Sequence, residues 1–464
     1  MVLKRPGILL EFGDTMRVLC CLLMGWSVLL SGCGESKDDA VAPIKKSNKQ
    51  SRKNAAFDEQ QRARNNAIYD AADAIEDLGG RVTFDTRRPL DSRVDIVRVD
   101  TVQMGGQKVT DAGLVHLKEL TGLHTLNLSH SRITDSGLVH LKDLTSLHTL
   151  NLYGTQVTDA GLEHLKVLTS LRMLHLYKTK VTGAGLEHLK SLTNLEELLF
   201  PSTQVTDADM AHLKGLTSLR MLHLYKTKVT DAGLEYLTGL TNLRILGIGS
   251  PEMSDAGLVH LGELTGLHTL AFRIPMVTDD GLMHLKTLTG LHTLAFQCPK
   301  VTDAGLVLLK TLRFLQVLSL TGNQMTDGGL EHLKDLTSLQ VLELVDTEVT
   351  GAGMVNLKGL ENLQRLNLYR SKVTDVGLVH LKGLTSLHTL NLYGTRVTDA
   401  SLEHLKVLTK LRMLNLERTA VTDSSLVHLK RLRSLQELNL RDTQVTDAGV
   451  KDLQSAAPKC RIIK

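Results

Sequence analysis

The segment LHTLNLYGTQVTDAGLEHLKVL, at residues 147–168, decides the fold of this chain. Its first part alternates between apolar and polar positions, because Leu150 and Leu152 flank Asn151. This alternation has the period of two that a β-strand shows when only one of its faces is buried. The segment is therefore predicted to begin with a short strand whose leucines point into a core.

The second part of the same segment has the spacing of a helix. Leu162, Leu165 and Leu168 recur every three residues, which places them along one stripe of a helix. Thr158 or Asp159 supplies a side-chain oxygen that caps the first helical turn. The whole segment is thus predicted to form one strand, one turn and one helix.

This strand–turn–helix unit occurs fifteen times along the chain. The tripeptide Val-Thr-Asp, or a close variant of it, recurs every 24 residues from Val109 to Val445 without an insertion. One unit cannot cover both sides of its own apolar stripe, so neighbouring units must do so. So regular a period predicts a solenoid. Because strands pack more closely together than helices, we expect a curved stack with the strands on its concave side.

The frame of the unit, LxxLxLxxTxVTDxGLxxLxxL, resembles the leucine-rich repeat family over residues 99–464. It is most similar to the TDxGL-type repeats of bacterial exported proteins and of F-box proteins. The resemblance implies an α/β fold, a curved right-handed solenoid of about fifteen repeats with a concave parallel sheet and convex helices. It also implies a protein that binds other proteins.

The N-terminal residues have the features of an export signal. Residues 18–30 form an apolar stretch that has the length of a signal-peptide core and is too short to span a membrane. The sequence Leu-Ser-Gly-Cys at residues 30–33 resembles the lipobox of bacterial lipoproteins. That resemblance implies that residues 1–32 are removed and that Cys33 carries the lipid chains that anchor the protein in the bacterial cell envelope.

Two further expectations concern export. In the lipoprotein family a residue other than Asp after the lipidated Cys favours the outer membrane, so Gly34 predicts an outer-membrane or periplasmic location. Translation from either Met1 or Met16 would leave the signal intact, and the sequence leaves this choice open.

Composition divides the rest of the chain into a flexible basic tether at 33–55, an N-terminal cap at 56–98, the solenoid at 99–452 and a C-terminal cap at 453–464. In the N-terminal cap, residues 57–78 predict an amphipathic helix that ends at Gly79-Gly80. Residues 81–84 and 94–99 predict short strands that cover the first edge of the solenoid. A final strand at Ile462-Ile463 is expected to cover the far edge, with Cys460 buried beside it.

Composition and charge disfavour several classes of protein. The formal net charge of +4, from 54 basic and 50 acidic residues, is far from the broad basic surface of a nucleic-acid-binding protein. The five cysteines form neither a disulfide framework nor a metal-binding spacing. No Ser/His/Asp cluster, phosphate-binding glycine loop or HExxH motif is present. We therefore expect no catalysis, no cofactor, no metal and no nucleic acid.

Three ladders of polar residues could suggest chemistry but have structural interpretations. Eleven histidines share one helical position, from His116 to His428, and rings one repeat apart are spaced too widely to share a metal ion. We interpret them as filling the seams between helices. The aspartates of Val-Thr-Asp are interpreted as helix N-caps rather than calcium ligands. The residue two before Val-Thr-Asp is Thr or Ser in ten units and Asn only at Asn323, and it resembles the asparagine ladder of the family, with a hydroxyl in place of the amide.

Candidate binding residues lie on the concave face, where side chains can vary without disturbing the core. Exposed aromatic side chains are frequent anchors of protein interfaces, and tyrosines recur in one column of this face. An N-terminal group comprises Tyr153, Arg172, His175, Tyr177, Lys178, Arg220, His223, Tyr225 and Lys226, and a C-terminal group comprises Tyr369 and Tyr393. Between them, a shallower and less polar floor is predicted by Gly247, Ala271, Ala295, Pro251, Pro275 and Pro299.

The favoured interpretation is a membrane-anchored, non-catalytic scaffold that binds an unidentified protein through its concave face. One alternative is a structural spacer of the envelope without a discrete ligand, for which a uniform concave face would be expected. Another is a substrate-recognition repeat domain resembling that of F-box ubiquitin ligases, which the export signal disfavours.

Overall fold

The structure, a computed structural model, describes residues 48–84, 99–200 and 204–464. The signal segment and Cys33 lie outside the described residues, as do the first part of the predicted tether and residues 85–98 of the N-terminal cap. None of the described helices combines the length and the apolar character needed to cross a bilayer.

The described residues form two compact units. The first runs to residue 229 and includes 239–243, and the second comprises 230–238 and 244–464. The strands of the first unit are β1 (Arg81–Phe84), β2 (Val99–Gln103), β3 (Thr125–Asn127), β4 (Thr149–Asn151), β5 (Met173–His175), β6 (Glu197–Leu199) and β7 (Met221–Tyr225). Those of the second are β8 (Ile245–Gly249), β9 (Thr269–Arg273), β10 (Thr293–Gln297), β11 (Val317–Thr321), β12 (Val341–Val345), β13 (Arg365–Asn367), β14 (Thr389–Asn391), β15 (Met413–Asn415), β16 (Glu437–Asn439) and β17 (Arg461–Ile463).

Within each unit the strands pair in parallel with a constant offset of one repeat. Leu126 of β3 lies opposite Leu150 of β4, and Leu150 lies opposite Leu174 of β5. At the N-terminal edge, β1 pairs antiparallel with β2 and covers its open side. Because the offset is always 24 residues, each position of the repeat forms a straight column across the sheet.

The side of each unit opposite the sheet consists of short helical segments. The α-helices are α1 (Asn48–Asp77), α2 (Asp135–Leu138), α3 (Asp159–Leu162), α4 (Asp207–Met210), α5 (Asp231–Leu234), α6 (Asp255–Gly262), α7 (Asp279–Leu282), α8 (Asp327–Leu330), α9 (Asp375–Leu378), α10 (Asp399–Leu405), α11 (Leu426–Leu429) and α12 (Asp447–Ala456). The 3₁₀ segments are Asp111–Glu119, Val139–Leu141, Glu163–Leu165, Gly183–Leu189, Ala211–Leu213, Glu235–Leu237, Met283–Thr287, Gly305–Thr311, Glu331–Leu333, Ala352–Leu357, Val379–Gly383 and Asp423–Ser425.

In seven of the fifteen repeats, a single α-helical turn is continued by a 3₁₀ turn, and four others have a 3₁₀ segment alone, rather than the longer helix that the sequence predicts. The spacing of three between Leu162, Leu165 and Leu168 suits this geometry, since a 3₁₀ helix has three residues per turn. All three side chains are fully buried. The leucines of the strand and of the helical segment together form the core of each repeat.

The aspartates of Val-Thr-Asp link neighbouring repeats, so the interpretation of this column as N-caps is wrong. Oδ1 of Asp135 accepts a hydrogen bond from the backbone N–H of Thr158 at 2.7 Å, and Oδ2 accepts one from the Thr158 hydroxyl at 2.6 Å. The Thr holds the N-cap position, with extended backbone angles. We call this bidentate contact the Asp–Thr clasp. It recurs at Asp111–Thr134, Asp159–Thr182, Asp231–Ser254, Asp255–Thr278, Asp279–Thr302, Asp303–Thr326, Asp327–Thr350, Asp375–Thr398, Asp399–Thr422 and Asp423–Thr446.

One repeat without this Asp has a local substitute. Gly183 stands in the Asp position, and Thr206 of the next repeat instead donates its backbone N–H to Asp209 of its own repeat at 2.7 Å. The Thr206 hydroxyl donates to the same carboxylate at 2.8 Å. A carboxylate thus satisfies the Thr in both arrangements, which agrees with its role as a hydrogen-bond acceptor rather than an ion ligand.

The hydroxyl ladder also differs from the predicted one. The Thr155 hydroxyl donates to the carbonyl of Leu152 at 2.8 Å, within its own repeat, and Thr395 and Thr419 do the same with Leu392 and Leu416. A hydroxyl is shorter than the amide of Asn and binds the nearest carbonyl, three residues earlier. These hydroxyls therefore tighten the turn after each strand instead of joining neighbouring repeats.

The ends of the described chain match parts of the predicted caps. Helix α1 begins at Asn48, inside the segment predicted as a tether, because the residues before Phe57 include several good helix formers. It is followed by Gly79 with a left-handed φ of +81°. At the other end, α12 precedes β17, and Cys460 is buried as predicted. The second predicted strand of the N-terminal cap lies outside the described residues except for Val99.

Candidate protein-binding surface

The side chains that point away from the leucine core form the sheet face, which corresponds to the predicted concave face. In the first unit, Thr149 lies opposite Met173, and Asn151 lies opposite His175. Residues separated by one repeat therefore stand side by side on this face. The constant register brings the members of each predicted column together within their unit.

Two of the predicted tyrosines form a stacked pair. The rings of Tyr153 and Tyr177 are 5.4 Å apart between centroids and nearly parallel, with an interplanar angle of 3°. On the other side of Tyr153, the ring of His130 makes an edge contact at 4.7 Å. The Oδ1 atom of Asn151 accepts the backbone N–H of Tyr153 at 2.9 Å and fixes the end of the strand from which that ring projects.

Lys178 lies over this tyrosine pair. Its Nζ atom is 5.5 Å from the ring centroid of Tyr153 and 5.9 Å from that of Tyr177. A hydrogen bond to Tyr153 raises the pKa of Lys178 above its ordinary value, against a smaller opposing effect of burial. The Lys178 backbone is left-handed, with φ of +58°, a conformation that Gly154 also takes at the same position of its repeat. The charged amine is thus held against the aromatic pair.

The predicted arginines are already paired within the chain. Arg172 Nη1 lies 3.1 Å from Glu196 Oε1, and Arg220 Nε lies 3.4 Å from Glu196 Oε2. Glu196 therefore sits between the two arginines, one repeat from each. This arrangement neutralises much of the positive charge at the end of the sheet face where the strands begin.

The predicted histidines lie beside a second carboxylate. His175 Nε2 is 3.1 Å from Glu197 Oε1. His223 is only 8% exposed, and its Nε2 atom has no hydrogen-bond partner among the described residues. Burial lowers the pKa of His223 to about 4, while Glu197 opposes and His175 adds to the decrease. The ring of Tyr225 makes an edge contact with His223 at 6.0 Å, so His223 supports the surface from below.

In the second unit, Tyr369 and Tyr393 also stack. Their ring centroids are 4.4 Å apart, with an interplanar angle of 12°. Burial and the neighbouring Tyr393 raise the pKa of Tyr369. The guanidinium of Arg418 lies over the Tyr393 ring at 5.5 Å and also binds Asp442 at 3.0 Å. The basic group at this pair is therefore neutralised by an acidic neighbour.

The less polar part of the sheet face lies in the second unit as well. Ala271 and Ala295 are buried, and beneath them the rings of Phe272 and Phe296 stack in the core at 5.4 Å. These two positions of the predicted floor therefore carry small, buried side chains.

A buried acidic residue was missed by the sequence analysis. Glu343 is 1% exposed and its Oε2 atom accepts the Ser319 hydroxyl at 3.3 Å. Arg365 Nε lies 3.4 Å from the other carboxylate oxygen. The 24-residue period could have revealed Glu343 beside Ser319, and likewise Glu196 between two arginines, since each pair is one repeat apart.

The histidine ladder lies on the helical side of the repeats. Burial and the neighbouring Lys310 lower the pKa of His332. Burial and the neighbouring Lys382 likewise lower the pKa of His404. Within the described part of the chain, no three His, Cys, Asp or Glu side chains are grouped so that they could hold a metal ion.

Comparison with known families identifies the repeat. Residues 86–332 match a model described as a leucine-rich repeat region, and residues 431–453 match a second leucine-rich repeat model. The chain belongs to the leucine-rich repeat family. Together with the parallel sheet and the alternating helical segments, this match confirms the predicted fold class. Leucine-rich repeat domains typically act as protein-binding scaffolds and are generally non-catalytic.

Solved leucine-rich repeat structures resemble the chain in fold. An internalin from Listeria monocytogenes is 21% identical, with a TM-score of 0.44 over 85% of this chain and 94% of that one. A leucine-rich repeat protein from Leptospira interrogans is 17% identical, with a TM-score of 0.48 over 79% and 90%. The ectodomain of a receptor kinase from Arabidopsis thaliana, solved with Casparian strip integrity factor 2, is 16% identical, with a TM-score of 0.39 over 78% and 51%. No curated protein matches the chain.

Proposed function

We propose that this leucine-rich repeat protein is an exported lipoprotein of the bacterial cell envelope that binds another protein through its sheet face, without catalysis. The observation that carries the binding proposal is the stacked pair of Tyr153 and Tyr177 with Lys178 above it. Both rings are half-buried, so the pair is already ordered before a partner arrives. A rigid aromatic anchor loses little conformational entropy on binding, which favours an interface at this place.

The sheet face varies along the chain, which favours a discrete ligand over a purely structural spacer. In the first unit it carries Lys178 above the stacked Tyr153 and Tyr177, whereas in the second it includes the buried Ala271 and Ala295. A spacer needs only a stable core and places no demand on this face. The differences between repeats are therefore better explained by recognition.

A co-purification experiment tests the binding proposal. The full chain would be crosslinked in native envelopes, purified and analysed by mass spectrometry, in parallel with a variant that carries Tyr153→Ala, Tyr177→Ala and Tyr225→Ala. We expect a defined protein to be captured by the wild type and lost from the variant. A Val376→Ala variant, which removes an exposed side chain of the helical side, is the control. Unchanged capture by the first variant would refute the proposal for this group of residues.

Lipid anchoring is proposed from the lipobox resemblance and has its own test. The full chain expressed with labelled palmitate should incorporate the label and fractionate with envelopes, and Cys33→Ala should abolish both effects. Separation of inner and outer membranes then tests the outer-membrane location that Gly34 favours. A wild-type chain that stays unlabelled would contradict the anchor while leaving the binding proposal intact.

A further inference from the structure

The turns that follow the strands of the first unit carry positive charge without acidic residues. We call these turns the turn edge; it comprises residues 105–108, 129–132, 153–156, 177–180 and 225–228. It contains six Lys or Arg residues and no Asp or Glu, and the basic residues are Lys108, Arg132, Lys178, Lys180, Lys226 and Lys228. In the described part of the chain, no ion pair joins Lys180 or Lys228 to a carboxylate. The turn edge is therefore a basic strip beside the tyrosine pair.

The same turns of the second unit have a different charge pattern. There several basic residues form ion pairs with acidic residues of the neighbouring turns: Arg370 lies 3.4 Å from Asp346, and Arg418 lies 3.0 Å from Asp442. Lys372 forms an ion pair with Glu348. Repeats of the same fold can thus pair basic turn residues with acidic ones in neighbouring turns, whereas the turn edge of the first unit contains no Asp or Glu.

Nearby acidic side chains of the first unit are occupied elsewhere. Asp135 and Asp159 follow the turn edge by only a few residues, but their carboxylates are held by Thr158 and Thr182 through the Asp–Thr clasp. Glu196 lies at the opposite end of the strands between its two arginines. Neither group can supply the missing negative charge.

The geometry of the tyrosine pair indicates what kind of anion fits. One face of Tyr153 is covered by Tyr177 and the other side by the edge of His130, so this ring offers no free face for stacking on a sugar or a nucleobase. Its hydroxyl interacts with Lys178 and retains its own proton as a donor. An O–H donor beside an ammonium group suits a carboxylate, which accepts hydrogen bonds from both.

We propose that the turn edge and the Tyr153–Tyr177 pair bind an acidic polypeptide segment, rich in Asp or Glu, that contacts the basic residues of the turn edge. The proposal rests on the function proposed above and specifies the chemistry of the partner. The Lys and Arg side chains attract the segment, and the tyrosine pair anchors it. Charge complementarity of this kind sets partner choice and association rate.

Fluorescence anisotropy with a defined acidic probe tests this inference. The probe is a fluorescent peptide of about eight glutamates, long enough at ~3.3 Å per residue to cross five strands ~4.8 Å apart. The full chain would be compared with a Lys180→Glu, Lys228→Glu variant. A Lys372→Glu, Arg396→Glu variant is the matched control, because it changes the same repeat position and the same amount of charge in the second unit.

We expect the wild type to bind the peptide and to lose affinity as salt screens the charges. The Lys180→Glu, Lys228→Glu variant should bind at least about tenfold more weakly, and the control should stay within about twofold of the wild type. Melting curves would show that all three proteins fold alike.

Three results would overturn the inference. The first is that the wild type does not bind the peptide. The second is that both variants lose affinity for the peptide to the same extent. The third is that the wild type binds heparin but not the peptide, which would indicate an anionic polysaccharide as the ligand. If any of these occurs while tyrosine-dependent capture in envelopes persists, the proposed function stands and only the acidic chemistry of its partner is wrong. If the peptide is bound but capture of a protein in envelopes does not depend on the tyrosines, the proposed function is refuted instead.

Discussion

The carboxylate of Asp135 holds both the backbone amide and the hydroxyl of Thr158 in the next repeat, at 2.7 and 2.6 Å. The same contact explains the glycine of the TDxGL motif. A Cβ atom at Gly161 would lie 2.4 Å from Oδ1 of Asp135, which is closer than real contacts allow. The three recurring residues of the motif, Thr, Asp and Gly, therefore form one joint between neighbouring repeats.

Replacing Gly161 by Ala should loosen this joint. The added methyl group must displace the Asp135 carboxylate, and overpacking of this kind costs about 1–3 kcal/mol. The measurement is the midpoint of urea unfolding followed by circular dichroism. Gly215→Ala is the control, since a Cβ atom there would have no neighbour within 4 Å. Equal midpoints for the two variants would contradict the steric explanation.

The clasp at Asp399 should make stability depend on pH in the acidic range. Burial opposes ionisation of Asp399, but hydrogen bonds from Ser424 and Thr422 outweigh it and lower its pKa to about 2. A lowered folded-state pKa stabilises the fold above the ordinary pKa, near 4, and this contribution is lost as pH falls from about 4 through 2. The melting temperature of Asp399→Asn should therefore lie below that of the wild type at pH 7.

The difference in melting temperature between Asp399→Asn and the wild type should shrink between pH 4 and pH 2, because protonated Asp and neutral Asn accept hydrogen bonds similarly. Thermal melts at several pH values measure it. A difference that stays constant down to pH 2 would show that the carboxylate charge does not contribute.

His223 should destabilise the first unit on mild acidification. Its folded-state pKa of about 4 lies below the ordinary value, so the unfolded chain binds the proton more readily. Stability should then fall as pH decreases from about 6.5 to 4. His223→Leu should remove this part of the pH dependence, and Leu is tolerated at this position because Leu199 occupies it in the preceding repeat. Parallel pH curves for wild type and variant would contradict this account.

Cys298 should react with thiol reagents only when the second unit opens. Burial raises the pKa of its thiol to about 12, and the side chain is fully buried beside the Phe296 layer of the core. At pH 8 in native buffer we expect negligible labelling of the peptide that contains Cys298, and rapid labelling in urea. Quantitative mass spectrometry measures both rates. Fast labelling in native buffer would show that this part of the core opens readily.

Much of the fold follows from the sequence, because the information is local and periodic. Leu150 and Leu152 specify a strand, and the 24-residue period places every strand in register. The Asp–Thr clasp could not be predicted, because the partner of Asp135 is separated by 23 residues and the contact depends on the lateral spacing of repeats. Local rules pair such an Asp with the N–H donors of its own helix start, whereas the groups that donate to Asp135 are the amide and hydroxyl of Thr158 in the next repeat.

The sequence predicts which residues of the candidate surface lie side by side, but not which of its charged residues form ion pairs. The stack of Tyr153 and Tyr177 follows from the period, whereas the neutralisation of Arg172 depends on the direction in which Glu196 points. His223 alternates with core leucines and was expected to be exposed, yet it is buried. Side-chain direction and size, rather than position in the repeat, decide these cases.

Site-specific photo-crosslinking tests the central claim most directly. A photoreactive phenylalanine analogue would replace Tyr177 on the sheet face or Val376 in α9, which is 67% exposed on the helical side. On irradiation of native envelopes, we predict a defined protein adduct from position 177 and none from position 376. Adducts from position 376 but not from position 177 would contradict the claim that the sheet face of the first unit is the binding surface.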